Sequence, residues 1–454
     1  MSRSVLERPV AAIGAALQSR TAPIALAAIL ATLSFVVACE PRRGLWDQSE
    51  MVALPEARAM VRGEHSYGIV GYTHFPNGPT YVMAAMVWLG MDLPQMRRVP
   101  IVVAGLSVGF MLWALLTAST SAQLRLWTAL AAGILVVQPG IANWQARLHE
   151  YSYVVSLGFV AIGACTRPLL KVRWLLVVLG FVAGWTGYDW LPGQTLTVFV
   201  VRWLTHGGAR GDPVGSLARA TLDALAFSSG ASLAILMHVI QLGLYHGSFE
   251  AGLRDLLGAA ATHLGHPSAA GLNPEYYETL RESRETTTGN RNFSYWFGAE
   301  VNPESPGRIA VVQGMLRIFV SASRAYGWLL LVVGLAGGAA LAVDLRARVR
   351  SGRLDRHALR AQGLAAAGAV VAAGLASVAW MLLMPRHSMV HSHIHWRHFF
   401  IGLALLVAIP ILTSRSQAEL REPPAGKLPT AYLIHSLFPV LVLLTFAYAA
   451  LALR

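Results

Sequence analysis

The chain has 454 residues, 55% of them hydrophobic and 13% charged, with a formal net charge of +13. A typical soluble domain carries about a quarter charged residues, so the composition excludes an ordinary cytosolic enzyme, a disordered tail and a disulfide scaffold. The excess of Lys and Arg would suggest nucleic acid in a soluble protein. Here the cations fall between long apolar runs, and the positive-inside rule accounts for them.

Residues 1–20 form a short basic tail with Arg3, Arg8 and Arg20. The first span is the uncharged run 22–39, and its basic flank places the N-terminus in the cytoplasm. Residues 40–97 then face outside, as a first periplasmic loop holding an amphipathic helix (48–62) and a shorter apolar segment (79–90). If 79–90 crossed the membrane, Arg167, Lys171 and Arg173 would lie outside. If it only dips into the surface, the inside loops are 166–173, 202–219, 344–360 and 414–428. The loop 344–360 carries Arg346, Arg348, Arg350, Arg353, Arg356 and Arg360. Charge bias selects this second register, and a run of about 12 apolar residues is short for a span.

The register predicts spans near 22–39, 98–119, 124–142, 150–166, 173–188, 190–204, 218–245, 325–343, 361–384, 398–413 and 430–452. That is an all-α polytopic membrane protein, one domain over 1–454, with about eleven transmembrane helices and an outer C-terminus. The loop 246–324 is the second large periplasmic element. It gathers Glu250, Asp255, Glu275, Glu278, Glu282, Glu285, Glu300 and Glu304. Its last part, 308–324, sets Ile309, Val312, Leu316, Phe319 and Val320 against Arg308, Gln313, Arg317, Ser321 and Arg324, the period of a helix lying on the membrane surface. Cys39 and Cys165 fall near opposite ends of their spans, too far apart for a disulfide.

Three outer loops each bring a carboxylate to one membrane face: Asp47, Glu150 and Asp189. One could serve as a general base while another orients it or holds a metal. Each also has a plain structural reading. Asp47 and Glu50 have the D-x-x-E form of a capping box. Glu150 opens a span, where the helix dipole favours an anion. Asp189 precedes Leu191-Pro192, a helix start. The stretch from Tyr72 to Tyr81 contains two prolines and a glycine, which make a shaped turn before the dipping segment; its His74 suits a phosphate or a metal. The stretch from Arg386 to His398 holds His391, His395 and His398 on one helical face. H-x-H-x-H is not a standard zinc spacing, whereas Arg397 among histidines fits a phosphate. A solvated basic turn is the competing reading.

The order of these features resembles the integral-membrane glycosyltransferases of the GT-C fold: span, acidic motif, amphipathic helix, Pro-rich turn, dipping helix, Arg, two spans, second acidic residue. Closest in pattern are the lipid A aminoarabinose transferases and the protein O-mannosyltransferases. The matching stretches run from Trp46 to Arg98 and from Asn143 to about Cys165; His395 to Phe400 is similar to the family's late motif. Three departures stand out. Asp47-Gln48 replaces the family's Asp-Glu pair, His74-Phe75 lies where the aminoarabinose enzymes have a Lys before the Pro, and Glu150 stands where the family has a second Asp. The resemblance implies a polyprenyl-phosphate sugar donor, a glycan, lipid or protein acceptor, and a periplasmic active site in a bacterial inner membrane. Asp47 would be the catalytic base and Glu150 its partner. Arg397, His74, His395 and His398 would bind the donor phosphate. Glu50, Tyr81 and Asp189 would contact the acceptor or support the site, and the loop 246–324 would cap it. A divalent metal would fall to Asp47, Glu150 and His391.

The main alternative is a transporter or flippase for a polyprenyl-linked sugar. It calls for ionisable residues within spans, of which His238 and Asp223 are the clearest. A non-catalytic scaffold and a membrane acyltransferase are the remaining readings.

Overall fold

The computed structural model describes residues 22–39, 48–64, 76–119, 121–137, 148, 150–166, 173–207, 213–264, 328–384 and 398–414. Regular structure among them is entirely helical. The thirteen helices are α1 (Ala22–Cys39), α2 (Gln48–Val61), α3 (Gly78–Trp88), α4 (Leu93–Ala118), α5 (Ala122–Val136), α6 (Glu150–Thr166), α7 (Arg173–Thr186), α8 (Leu191–Thr205), α9 (Pro213–His246), α10 (Phe249–Leu264), α11 (Trp328–Arg350), α12 (Arg356–Leu383) and α13 (Phe399–Ser414). Three of them, α4, α9 and α12, are long and apolar enough to cross a membrane. The chain is therefore a helical protein with membrane-spanning character.

Ten helices fall on the first ten expected spans. The other three, α2, α3 and α10, lie within the stretches 40–97 and 246–324. The expected span 430–452 and the surface helix 308–324 lie outside the described residues.

Helix α13 sits at the centre and packs against α4, α5, α6, α8, α11 and α12. Nearly every residue from Phe399 to Ser414 is buried, as its unbroken apolar sequence requires, since a helix that is apolar all round has no face to show to water. Polar side chains within helices bond to their own backbone: Thr197 Oγ1 donates to the Gly193 carbonyl at 2.8 Å and Ser107 Oγ to the Val103 carbonyl at 2.7 Å. Such back-bonding satisfies a hydroxyl where no water reaches.

The tightest seam joins α7 and α9. A Cβ on Gly180 would lie 1.8 Å from the Phe227 carbonyl oxygen, and one on Gly230 would lie 1.8 Å from the Val177 carbonyl oxygen. The two glycines let the backbones meet, as small residues do between membrane helices. Gly230→Ala is expected to cost about 2 kcal/mol or more, because the backbones must separate. Gly334→Ala, whose new methyl would meet nothing within 4 Å, is the control. Thermal unfolding of both variants in detergent checks this, and equal midpoints would contradict it.

Helix boundaries differ from expectation where charge was read as a helix end. Helix α4 begins at Leu93 rather than near 98, because Asp92 and Gln95 form a reciprocal capping box: the Gln95 amide donates to Asp92 Oδ1 at 2.8 Å and the Asp92 amide to Gln95 Oε1 at 2.9 Å. The Arg-rich stretch 344–360 is mostly helix. Helix α11 continues to Arg350, and Asp355 caps α12 by accepting from the Ala358 amide at 2.7 Å. Arginine is a good helix former, so basic residues mark the membrane boundary without ending the helix. The stretch 246–324 likewise starts with structure. Gly247, at φ +76°, turns the chain into α10, and His246 pairs with Asp255 across the corner at 2.9 Å.

Candidate functional site

The site begins at the turn 187–190, between α7 and α8. The Leu191 amide donates to the Tyr188 carbonyl at 3.1 Å, and Pro192 in the first turn opens α8, as Leu191-Pro192 predicts. The turn buries Asp189 (6% exposed) at the mouth of α13, where His398 is 2% exposed. Asp189 Oδ2 lies 3.8 Å from His398 Nε2. That separation exceeds a hydrogen bond and suits an ion pair once the imidazole is protonated. The His398 ring stacks on Trp190, with centroids 4.5 Å apart and planes at 30°. Aromatic stacking fixes ring orientation, so His398 is held by both the acid and the indole.

The preceding residue meets a second histidine. Tyr188 Oη lies 2.5 Å from His238 Nδ1, and His238 is 1% exposed on α9. The phenol and the imidazole share one hydrogen bond, whose donor follows the imidazole tautomer. Consecutive residues of one turn thus engage histidines from two different helices.

Helix α3 covers this end of the bundle. A Cβ on Gly78 would fall 2.2 Å from the Trp185 carbonyl oxygen, so only glycine lets α3 rest on the end of α7. Tyr81 stacks on Trp185 at 5.8 Å, and Gln241 Nε2 donates to Tyr81 Oη at 3.4 Å. Ala53, Leu54, Ala57, Met83, Met86 and Leu148 form a separate small core that binds α2 to α3 here. Below the turn, an apolar crevice between α6, α8 and α13 is lined by Val155, Phe159, Ile162, Trp190, Phe400 and Ala404.

Of the residues singled out in the sequence, Asp189 and His398 come into contact, and Tyr81 lies at the same end of the bundle through its stack on Trp185. Helix α6 begins at Glu150, and α2 begins at Gln48, directly after Asp47, with Glu50 in its first turn. Asp47, His74, His391, His395 and Arg397 lie outside the described residues, as do the side chains of Glu50 and Glu150. Among the described residues no three metal-ligating side chains cluster; the side chains of the three candidates for a divalent metal, Asp47, Glu150 and His391, are not among those described.

Two residues at this end escaped the sequence reading. Glu56 is 4% exposed on α2. It sits three residues from both Ala53 and Ala59, on the buried face, and that spacing was a legible signal for a carboxylate turned inward. Tyr188 had no such signal, because its partner lies 50 residues away.

Comparison with known proteins leaves the geometry to stand alone: no family model, no curated protein and no solved structure matches the chain.

Proposed function

We propose that the protein is an inverting glycosyltransferase that moves a sugar from a polyprenyl-phosphate donor to an acceptor hydroxyl at the periplasmic face of a bacterial inner membrane, in a bundle of about eleven spans. The observation that carries this reading is the meeting of Asp189 and His398 beneath α3. Two residues chosen for separate roles in one site, on distant parts of the chain, share one end of the bundle. That end also carries the helix that was expected to dip into the membrane surface.

In this mechanism Asp47 takes the proton of the acceptor hydroxyl as its oxygen attacks the anomeric carbon. The glycosidic C–O bond to phosphate breaks, and polyprenyl phosphate departs with inversion. Glu150 positions Asp47 or the acceptor, with Glu50, Tyr81 and Asp189 in support. Arg397, with His74, His395 and His398, neutralises the departing phosphate. A phosphate leaving group needs cations more than it needs an acid.

A transporter or flippase of the same lipid is the second reading, favoured by one observation: His238 is a buried ionisable residue on a span-length helix, the usual mark of a transport path. Mass spectrometry of lipids co-purified with wild-type protein and with Asp47→Asn separates the two. Enrichment of a polyprenyl-phosphate sugar on the variant is the result expected of a stalled transferase, and it names the sugar. Equal amounts on both proteins favour the flippase. No polyprenyl lipid on either removes both readings and returns the acyltransferase and scaffold to the front.

A further inference from the structure

At the end of α7 and α8 opposite the turn 187–190, a single carboxylate faces three basic side chains. Asp223, 2% exposed on α9, receives Arg202 Nε at 2.6 Å, His206 Nε2 at 2.7 Å and Arg173 Nε at 3.2 Å. Arg219 adds a fourth basic group, reaching the His206 carbonyl through Nη2 at 3.5 Å. Among the described residues two guanidiniums, Arg173 and Arg202, face the one carboxylate of Asp223.

Arg202 is itself buried, at 8% exposure. Asp223 balances the buried Arg202, so the second guanidinium, on half-exposed Arg173, is the one left to meet a further anion. Both guanidiniums engage Asp223 through Nε. Their Nη atoms, the paired donors that match a phosphate, lie outside that contact. The side chains also grade from closed to open: Arg202 is 10% exposed, His206 21% and Arg173 53%. The three side chains lie together among α7, α8 and α9, with Arg173 the outermost. Basic pockets between helices at a membrane boundary bind phosphate head groups.

We propose that Arg173, Arg202 and His206 form a phosphate-binding site, held open by Asp223, that takes the phosphate of an anionic lipid head group or of a soluble phosphate. Asp223 orients the guanidiniums and the incoming phosphate completes their charge balance. The site lies at the far end of the bundle from Asp189 and does not rest on the glycosyl-transfer reading.

The test uses the full chain in a maltoside detergent, which carries no phosphate. It is titrated with phosphatidylglycerol and, separately, with inorganic phosphate, and is read by native mass spectrometry and thermal midpoint. Saturable binding of phosphatidylglycerol, weakened about tenfold or more in Arg173→Gln, is the expected result. If inorganic phosphate also saturates and displaces the lipid with the same dependence on Arg173, the source is a soluble phosphate. If it does not compete, the source is the lipid. Arg173 is half-exposed, so its replacement leaves the packed core alone. Saturation by neither probe in the wild-type protein, or equal affinity in Arg173→Gln, overturns the site.

Discussion

Asp47→Asn is expected to abolish sugar transfer, lowering turnover by about 10²- to 10⁴-fold, the usual worth of a positioned general base. The same change should leave the fold intact. The D-x-x-E pattern reads Asp47 as the cap of the helix that follows, and Asn caps a helix about as well as Asp. The two roles of Asp47 therefore come apart in one variant. An amide keeps the hydrogen-bonding oxygen of a cap and cannot take a proton at neutral pH. Donor binding should persist, because the cations assigned to the phosphate are untouched. The measurement is transfer from a polyprenyl-phosphate sugar, with thermal unfolding alongside. Near-normal turnover would reduce Asp47 to a cap and remove the mechanism proposed for it.

The second large effect is expected at Asp189. Asp189→Ala takes away the carboxylate 3.8 Å from His398, beside an imidazole stacked on Trp190. Removing one partner of a buried charged pair is strongly unfavourable. Affinity for polyprenyl phosphate should fall about tenfold to a hundredfold, with the loss in KM rather than kcat, since the proton-taking residue is elsewhere. His398→Ala should produce a loss of the same size. The double variant should be little worse than either single one, which is the signature of two residues acting as a unit. Additive losses would separate Asp189 from His398, and unchanged affinity in both would take the pair out of the donor site. Arg397→Ala, next to His398 in the chain, is expected to weaken donor binding in the same way.

Much of the architecture was legible in the sequence because the membrane imposes a coarse code. A run of apolar residues must become a helix, since an unpaired backbone cannot be left in lipid, and ten helices lie where ten such runs lie. The helix expected over 48–62 and the short apolar segment 79–90 also formed, as Gln48–Val61 and Gly78–Trp88. Boundaries were less legible where two signals compete. Arg346 to Arg350 read as loop by charge, yet they continue α11, and Asp92 with Gln95 sets the start of α4 ahead of the apolar run.

The candidate site divides in the same way. Asp189 and His398 could each be picked out by type and by the loop they occupy, because ionisable residues are rare in this chain and gather at the ends of apolar runs. Their contact could not be read, and neither could that between Tyr188 and His238, since each joins elements far apart in sequence. Glu56 went unread, although its place between Ala53 and Ala59 on the buried face of α2 was a legible signal.

Local chemistry in the sequence determined which segments are helical, which residues cap them and which side chains are available at each end. Tertiary structure alone decided which helices meet, and the reason is steric. Gly180 against Phe227, Gly230 against Val177 and Gly78 against Trp185 are backbone contacts that a single methyl group would forbid. Nothing in a glycine's neighbours announces which distant carbonyl it will admit, and those close approaches align the helices that carry Asp189, His238 and Asp223 to their partners.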